Sequence, residues 1–209
     1  VLVPAGALDA ATLDRLLTET SVERIVETLP EKQMAAILSA GLSDALETHS
    51  FGKLENELYK YYYATLIKAA RGGMKGGLPF LKYVMFEIDI KNITNLFRIR
   101  AQGKPDVSTA DIWIEGGSYH ADELERLCSV ESLDEVVDTL KKKVKSPVLI
   151  EALESLREKK PIYAIEGMLI AAQLNQMDNV SKRNPFSISP LLVYLERKKS
   201  EVATLRALA

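Results

Sequence analysis

The chain has 209 residues, 47% hydrophobic and 27% charged, which is enough apolar surface for one or two cores of about 100 residues each and excludes disorder as its main state. A protein that binds nucleic acid normally has an excess of basic residues to neutralise the phosphates. This chain has a formal net charge of −2, so nucleic acid is excluded as a partner. The single cysteine, Cys128, cannot form an internal disulfide, and its place opposite Leu17 in a repeated segment predicts a small core residue.

Apolar residues recur at three- and four-residue spacing, as at Leu13, Leu16 and Leu17, which predicts an all-α fold. Two capping boxes, Thr20 with Glu23 and Ser132 with Glu135, predict helix starts, and five prolines are predicted as first helical residues: Pro30, Pro79, Pro147, Pro161 and Pro190. Gly72, Gly73 and Gly103 are predicted to end helices. The predicted helices are a short pair at 9–29, then 31–48, 52–71 and 79–102, followed by 120–140, 147–159, 161–178 and 189–209.

The chain contains two copies of one unit. Residues 13–29 reappear at 124–140 with seven identities, residues 2–12 lie opposite 113–123, and residues 87–96 lie opposite 196–205 at an offset of 109. This predicts two tandem homologous helical domains of about five helices each, at 1–105 and 111–209, joined by a turn-rich linker at 103–110. Because the sequence begins at Val1 within the repeat, we expect a fragment or a processed chain.

The predicted helix at 79–102 carries one line of polar residues on a mostly apolar surface: Glu87, Lys91, Thr94 and Arg98. Polar residues on a buried helix are paired or border a cavity, because an unpaired buried charge costs several kcal/mol. Two interpretations stay open. The line is either a structural ladder of ion pairs, from Glu87 to Lys91 and outward to Arg98, or a surface that meets a partner's helix.

No catalytic, cofactor or metal site is predicted. His49 and His120 lack the H-E-x-x-H context and are predicted as surface loop or cap residues, and the glycine-rich segment 71–77 follows a helix and lacks the G-K-[ST] order of a phosphate loop. Glu87 and Asp89 point about 200° apart on a helix, which does not suit joint metal binding or acid–base work. Glu166 interrupts the longest apolar run, so no segment reaches the roughly 20 residues of a membrane span.

Several repeated residues together resemble the C subunit of archaeal A-type and bacterial V-type ATP synthases, whose counterpart in the eukaryotic V-ATPase is the d subunit. They are the openings LVPAG at 2–6 and WIEGG at 113–117, Glu57 and Glu166 in the penultimate helices, and the closing pattern of Glu87, Asp89, Asn92, Asn95 and Leu96 with Arg98 and Arg100 after it. The second copy departs from this pattern: it keeps Glu196, Thr204, Leu205 and Arg206 but has Lys198 opposite Asp89.

The resemblance implies a non-catalytic adaptor in which three such units surround a pseudo-threefold axis and form a funnel, the present chain holding the second and third units. It implies as partners the D and F subunits of the central stalk and the membrane rotor ring, with no small-molecule substrate, at the cytoplasmic face of the membrane as a peripheral protein that transmits torque for proton or sodium transport. A chain of two units would expose an apolar edge, so we expect it to be less stable than the intact chain; equal melting temperatures would contradict this.

Two other classes of function stay open from the sequence. One is a helical-repeat scaffold that binds a peptide or a partner helix. The other is an enzyme that uses Glu87 and Arg98, which would require a concave pocket at that line.

Overall fold

The computed structural model describes residues 4, 6–73, 77–102, 110–158 and 160–208. Across these residues the chain forms ten α-helices and one short 3-10 helix at Ala110–Ile112, with no β-strand, and the all-α prediction is confirmed. The α-helices are α1 (Ala10–Leu17), α2 (Val22–Thr28), α3 (Lys32–Thr48), α4 (Gly52–Arg71), α5 (Gly77–Gln102), α6 (Ala121–Ser129), α7 (Leu133–Lys141), α8 (Pro147–Ser155), α9 (Ile162–Arg183) and α10 (Ser189–Leu208).

The helix starts follow local capping, with one correction. The hydroxyl of Ser132 accepts a hydrogen bond from the Glu135 N–H at 3.3 Å, as the second capping box predicts. In the first copy the cap is Ser21, not Thr20, and its hydroxyl accepts from the Arg24 N–H at 3.3 Å. Either hydroxyl could cap, and the helix begins one residue later than the box predicts, so that Ser21 satisfies a free amide of the first turn.

Prolines lie at or near the predicted helix starts, but only Pro147 is itself a first helical residue. Pro161 directly precedes α9, Pro190 is the second residue of α10, Pro79 is the third residue of α5, and Pro30 lies two residues before α3. Four of the prolines share one physical reason, because none of the first amides of a helix has an intrahelical acceptor, whereas Pro30 lies outside α3 and its cap. The prediction of a strict first position was wrong for four of the five prolines.

Helix ends differ from the sequence prediction at two places. Helix α8 ends at Ser155 rather than 159, because the Leu156 N–H turns back to the Leu153 carbonyl and the last turn tightens. Helix α9 continues to Arg183 rather than 178, since no helix breaker precedes Asn184 and Pro185. Gly72 ends α4 as predicted, with its N–H bonded to the Lys68 carbonyl, whereas Gly103 lies outside the described residues.

The chain divides by its internal contacts into two compact units, Val1–Tyr62 and Tyr63–Ala209, so their boundary falls within α4. In the N-terminal unit α2 contacts both α1 and α3, around a small core that includes Val26, Leu42 and Ala45. These units do not coincide with the sequence repeat. The repeat boundaries at 1–105 and 111–209 stay a prediction, and 103–109 of the linker lie outside the described residues.

The larger C-terminal unit is organised by α5 and α9. Helix α5 packs on α6 and α9, and α9 also contacts α8 and α10. Ile93, Leu96, Leu124, Leu153 and Leu169 lie in one core cluster and are wholly buried. Burial of each such side chain stabilises the fold by about 1.5–3 kcal/mol. The closing helix of the first sequence copy thus shares one continuous core with the helices of the second.

Candidate functional site

Helix α5 carries an unusual set of buried polar residues. Glu87, Asp89 and Asn92 are each less than a tenth exposed, although they lie within a helix that is otherwise apolar on most sides. Buried polar groups of this kind need specific partners to offset the cost of leaving water. The partners of Asp89 and Asn92 lie in the opening segment of the second copy, residues 113–119, which connects the 3-10 helix to α6.

Asn92 fixes the start of this opening segment. Its side-chain amide donates to the Ile114 carbonyl at 2.8 Å and accepts from the Ile114 N–H at 3.0 Å. Asn92 is 0% exposed and Ile114 is 2% exposed, so no solvent competes for these hydrogen bonds. One side chain therefore satisfies both polar backbone groups of a residue that is not part of a helix.

Asp89 holds the other end of the opening segment. Its Oδ1 accepts a hydrogen bond from the Ser118 N–H at 2.6 Å. Burial raises the pKa of Asp89 to about 6, and hydrogen bonds from Ser118 and Tyr119 together with the charge of Lys143 oppose that rise. The carboxylate thus carries a desolvation cost that the backbone donors offset in part.

The paired glycines of the opening segment make this close approach possible. A Cβ at Gly117 would lie 2.3 Å from Asp89 Oδ1, and a Cβ at Gly116 would lie 2.2 Å from Ile67 Cδ1. Gly116 also adopts a φ of +105°, a region that L residues rarely occupy. Gly117 is therefore needed for the contact with α5, and Gly116 for the contact with Ile67 of α4.

Arg100 of α5 donates hydrogen bonds to backbone carbonyls at the C-terminal end of α6. Its guanidinium donates to the carbonyls of Leu127 at 2.9 Å, Val130 and, at 3.3 Å, Glu131. The last carbonyls of a helix have no intrahelical donor and carry a partial negative charge, so a cation with several N–H groups suits this position. With Asp89 and Asn92, Arg100 forms a three-point attachment, which we call the α5 clamp.

The predicted charge line continues outward from the clamp to two other helices. Arg98 Nε lies 2.6 Å from Glu166 Oε1 of α9, and Glu87 Oε1 lies 3.7 Å from Lys199 Nζ of α10. Glu87 Oε2 is buried and has no hydrogen-bond partner within the described part of the chain. The ion pairs of Glu87 and Arg98 therefore connect α5 to α10 and α9, which favours the structural interpretation of the line over a free surface.

The two equivalent glutamates of the closing helices meet at one cluster. Glu196 of α10 accepts from the Tyr83 hydroxyl at 2.9 Å and lies 3.4 Å from Lys199 Nζ, which also faces Glu87. Burial, followed by the charges of Glu87 and Glu196, raises the pKa of Tyr83 well above its usual range. The hydroxyl therefore stays protonated and acts as a donor to the carboxylate.

Other residues from the sequence analysis take simpler positions. Thr94 donates to the Ile90 carbonyl of its own helix, Leu96 is wholly buried, and Lys91 and Asn95 are half-buried. Glu57, the first-copy equivalent of Glu166, pairs with Lys60 at 2.7 Å.

The histidines and the cysteine, the candidates for catalysis or metal binding, lie at helix ends or against the core. His49 ends α3 with a φ of 53° and His120 precedes α6, both exposed, as predicted for cap residues. Cys128 is half-buried against the core, and burial raises its pKa to about 11. Among the residues that the structure describes, no three His, Cys, Asp or Glu side chains are close enough to hold a metal ion, and residues 74–76 of the glycine-rich segment lie outside this range. Within the same range, no helix combines the length and apolar character needed to cross a membrane.

Sequence reasoning found the residues of the closing pattern but not their partners. The sequence analysis predicted no contact between them, although the three-residue spacing of Asp89 and Asn92 and the glycines before α6 are two signals that could have indicated one. Nothing local to the sequence indicated the contact of Arg100 with carbonyl groups about 30 residues away, or the cluster of Arg157 with Asp134, Asp138 and Glu154 on the surface of α7 and α8.

Comparison with known proteins decides the family. A family model described as "ATP synthase (C/AC39) subunit" matches residues 1–209, the whole chain. The chain belongs to this family. The α5 clamp is therefore a feature of a member of the C/AC39 family.

Individual relatives agree with this family. The chain is similar to proteins named as the C subunit of an A-type ATP synthase: 32% identical over 212 residues to one from Halobacterium salinarum, 31% over 216 to one from Archaeoglobus fulgidus, and 28% over 209 to one from Methanocaldococcus jannaschii. Each match covers 100% of this chain but only 59%, 57% and 52% of the relative. The chain thus spans between half and three fifths of the length of these relatives.

Proposed function

We propose that this chain is part of a non-catalytic adaptor of a rotary A/V-type ATP synthase. The adaptor joins the D and F subunits of the central stalk, beneath the soluble head, to the membrane rotor ring at the cytoplasmic face, and transmits torque for proton or sodium transport. Membership in the C/AC39 family supports the assignment to an ATP synthase complex. The names of the relatives support the assignment to the C subunit of an A-type enzyme. The finer role rests on the mechanical character of the fold.

The α5 clamp is the observation that carries this role. A part that transmits torque has to resist displacement of one helical unit against the next. Hydrophobic burial is non-directional, whereas the paired hydrogen bonds of Asn92 and the carbonyl contacts of Arg100 fix both position and orientation. A shared core with buried polar attachments gives a stiff joint at the point where the two sequence copies meet.

Association with the motor is tested by capture from native membranes. The tagged full-length protein is isolated in low and in high salt, and the bound proteins are identified by mass spectrometry. We expect the stalk subunits and the ring to be recovered. Recovery of neither, with the tagged protein itself folded, would contradict the adaptor role.

A second candidate is a scaffold that binds one partner helix. It is favoured by an exposed apolar stripe on α10, where side chains recur at three-, four- and seven-residue intervals: Leu191, Leu195, Val202 and Leu205. Such a scaffold would bind its partner without changing the coupling of ATP hydrolysis to ion transport. Measurement of ions transported per ATP in the reconstituted complex therefore separates the two functions.

A further inference from the structure

The two sequence copies bury matching positions to different extents. Leu124 and Leu140 of the second copy are wholly buried, whereas Leu13 and Leu29, their counterparts at the offset of 111, are half-buried. Because both pairs consist of identical residues in matching segments, the side chains themselves do not cause the difference. It reflects what covers each copy.

In the second copy, the cover is the closing helix of the first. Leu124 and Leu140 lie in one core cluster with Ile93 and Leu96 of α5, and α5 packs on α6 and α9. Burial of such apolar side chains is the main favourable contribution to folding. The N-terminal unit, by contrast, contains no closing helix among its described residues, 4 and 6–62.

An open groove of about 390 Å³ lies in the N-terminal unit, between α3 and the start of α4, and we call it the α3–α4 groove. Gly41 and Ala45 line it, and their counterparts at the same offset, Ala152 and Leu156, lie in the core cluster that contains part of α5. A cavity near 150 Å³ holds a benzene-sized group, so the groove has room for roughly two or three large side chains. One face of an apolar helix presents side chains in that number.

The opening segment of the first copy is uncovered as well. A Cβ at Gly117 would lie 2.3 Å from Asp89 Oδ1, whereas a Cβ at Gly6, the counterpart of Gly117, would have no atom within 4 Å. Ser118, which donates its N–H to Asp89, is half-buried, and its counterpart Ala7 is exposed. The first copy thus leaves open the two regions that correspond to the surroundings of α5 in the second.

We propose that the α3–α4 groove binds the closing helix of a further repeat unit, from the part of the full-length protein that lies outside this chain. This helix is apolar on the side that faces the groove. It carries an Asp and an Asn three residues apart, which bind the backbone of the opening segment near Gly6 and Ala7 as Asp89 and Asn92 bind the segment before α6. Two copies fill 59% of the relative from Halobacterium salinarum, which leaves room for one more unit.

A second copy of this chain fits the groove less well. It would offer α10, because its α5 already contributes to its own core. Lys198 and Glu201 of α10 stand at the positions of Asp89 and Asn92. An ammonium group cannot accept the hydrogen bond that Asp89 accepts, and an ionised carboxylate cannot donate to a carbonyl as Asn92 does.

A separate partner protein also fits less well than a segment of the same protein. The matching region of the second copy is covered from within one polypeptide, by α5. Covering both copies in the same way requires only a further repeat unit, whereas a partner would have to imitate α5 without belonging to the repeat.

Photo-crosslinking in the full-length protein tests the occupant. p-Benzoylphenylalanine replaces Ala40, an exposed residue that lines the groove. In a matched control it replaces Ser39, which is also exposed but is turned by about 100° on α3 and does not belong to the lining. Isotope-labelled and unlabelled proteins are mixed, so that mass spectrometry separates crosslinks within one molecule from crosslinks between two.

We expect the Ala40 probe to crosslink, within one molecule, to a helix outside the present chain that carries the Asp and the Asn. We expect the Ser39 probe not to crosslink to that helix.

Hydrogen exchange of the Ala7 amide tests the attachment independently. In the full-length protein we expect this amide to be protected, as we expect for the Ser118 amide that Asp89 binds. Ala40→Trp should speed its exchange about tenfold, because a large side chain in the groove displaces the helix that protects it. Ser39→Trp is the matched control and should leave the exchange unchanged. The Ile114 amide of the α5 clamp serves as the reference for an intact fold in both variants.

Three results would overturn the proposal. They are crosslinks from the Ala40 probe to a second copy or to another protein, no crosslink beyond the present chain, and equal exchange of the Ala7 amide in Ala40→Trp and Ser39→Trp. The test is made within one polypeptide and requires neither the stalk subunits nor the rotor ring. Its failure is therefore distinguishable from failure of the adaptor function, which capture from native membranes tests.

Discussion

Replacement of Asn92 by alanine removes the two hydrogen bonds that fix Ile114 to α5. Each lost hydrogen bond contributes about 0.5–1.5 kcal/mol, and a buried N–H or C=O left without a partner costs about 1–3 kcal/mol. The two orphaned groups of Ile114 set a range of about 2–6 kcal/mol. We expect about 3 kcal/mol, because water can enter the space left by the amide and satisfy part of the need.

Hydrogen exchange of the Ile114 amide in the full-length protein measures this effect locally. A loss of about 3 kcal/mol corresponds to roughly 100-fold faster exchange of this amide if it opens by local unfolding. Asn95→Ala is the matched control, because it removes the same amide from a half-buried position of the same helix and leaves both hydrogen bonds in place. Equal protection of Ile114 in the wild type and in Asn92→Ala would refute the clamp.

Three further predictions concern the same joint. Because the pKa of Asp89 is raised, the folded state keeps the proton of this carboxyl to a higher pH than the unfolded chain does. The free energy of unfolding therefore falls by up to about 3 kcal/mol as the pH rises from 3.8 to about 6. Above about pH 6, Asp89 causes no further change in the free energy of unfolding. Urea unfolding of Asp89→Asn should lack that slope, and an identical pH profile would contradict the assignment. Gly117→Ala should lower the free energy of unfolding by about 1–3 kcal/mol, because the added Cβ would displace Asp89. Gly167→Ala is the control: it lies at an exposed site of α9 with no atom within 4 Å of the added Cβ, and it should raise the free energy of unfolding by up to about 1 kcal/mol. If thermal unfolding shows that both variants are destabilised or that both are stabilised, the contact is contradicted. Arg100→Met should lower the free energy of unfolding by about 2 kcal/mol. Arg100→Lys should recover less than half of that loss, because an ammonium group cannot reproduce the geometry of the guanidinium hydrogen bonds. Full recovery with lysine would show that the charge alone stabilises this contact and would contradict the role of the guanidinium geometry.

The sequence predicted the helices well, because their spacing and caps are local properties. The apolar periodicity, the Ser132 cap and the Gly72 end are each decided within a few residues. Errors lie where two adjacent residues could serve equally, as at Thr20 and Ser21, or where a helix continues without a breaker, as in α9.

The polar contacts were predictable only in part. Glu87 and Lys91 have the spacing of an intrahelical pair, yet Glu87 faces Lys199, more than 100 residues away, because α5 and α10 each present one side to a common cluster. The hydrogen bonds of Asp89 to Ser118 and of Asn92 to Ile114 depend on how the loop before α6 packs on α5. The local sequence pattern does not specify that packing. The resemblance of the closing pattern to a known family indicated which residues matter, and tertiary packing decides what they bind.

The adaptor role is tested most directly by ion transport in vesicles that contain the assembled complex with or without the full-length protein. Transport and ATP hydrolysis are measured together. We predict that the soluble head still hydrolyses ATP without this protein, that ion transport is lost, and that adding the protein back restores it. An unchanged number of ions transported per ATP in its absence would contradict the proposed function.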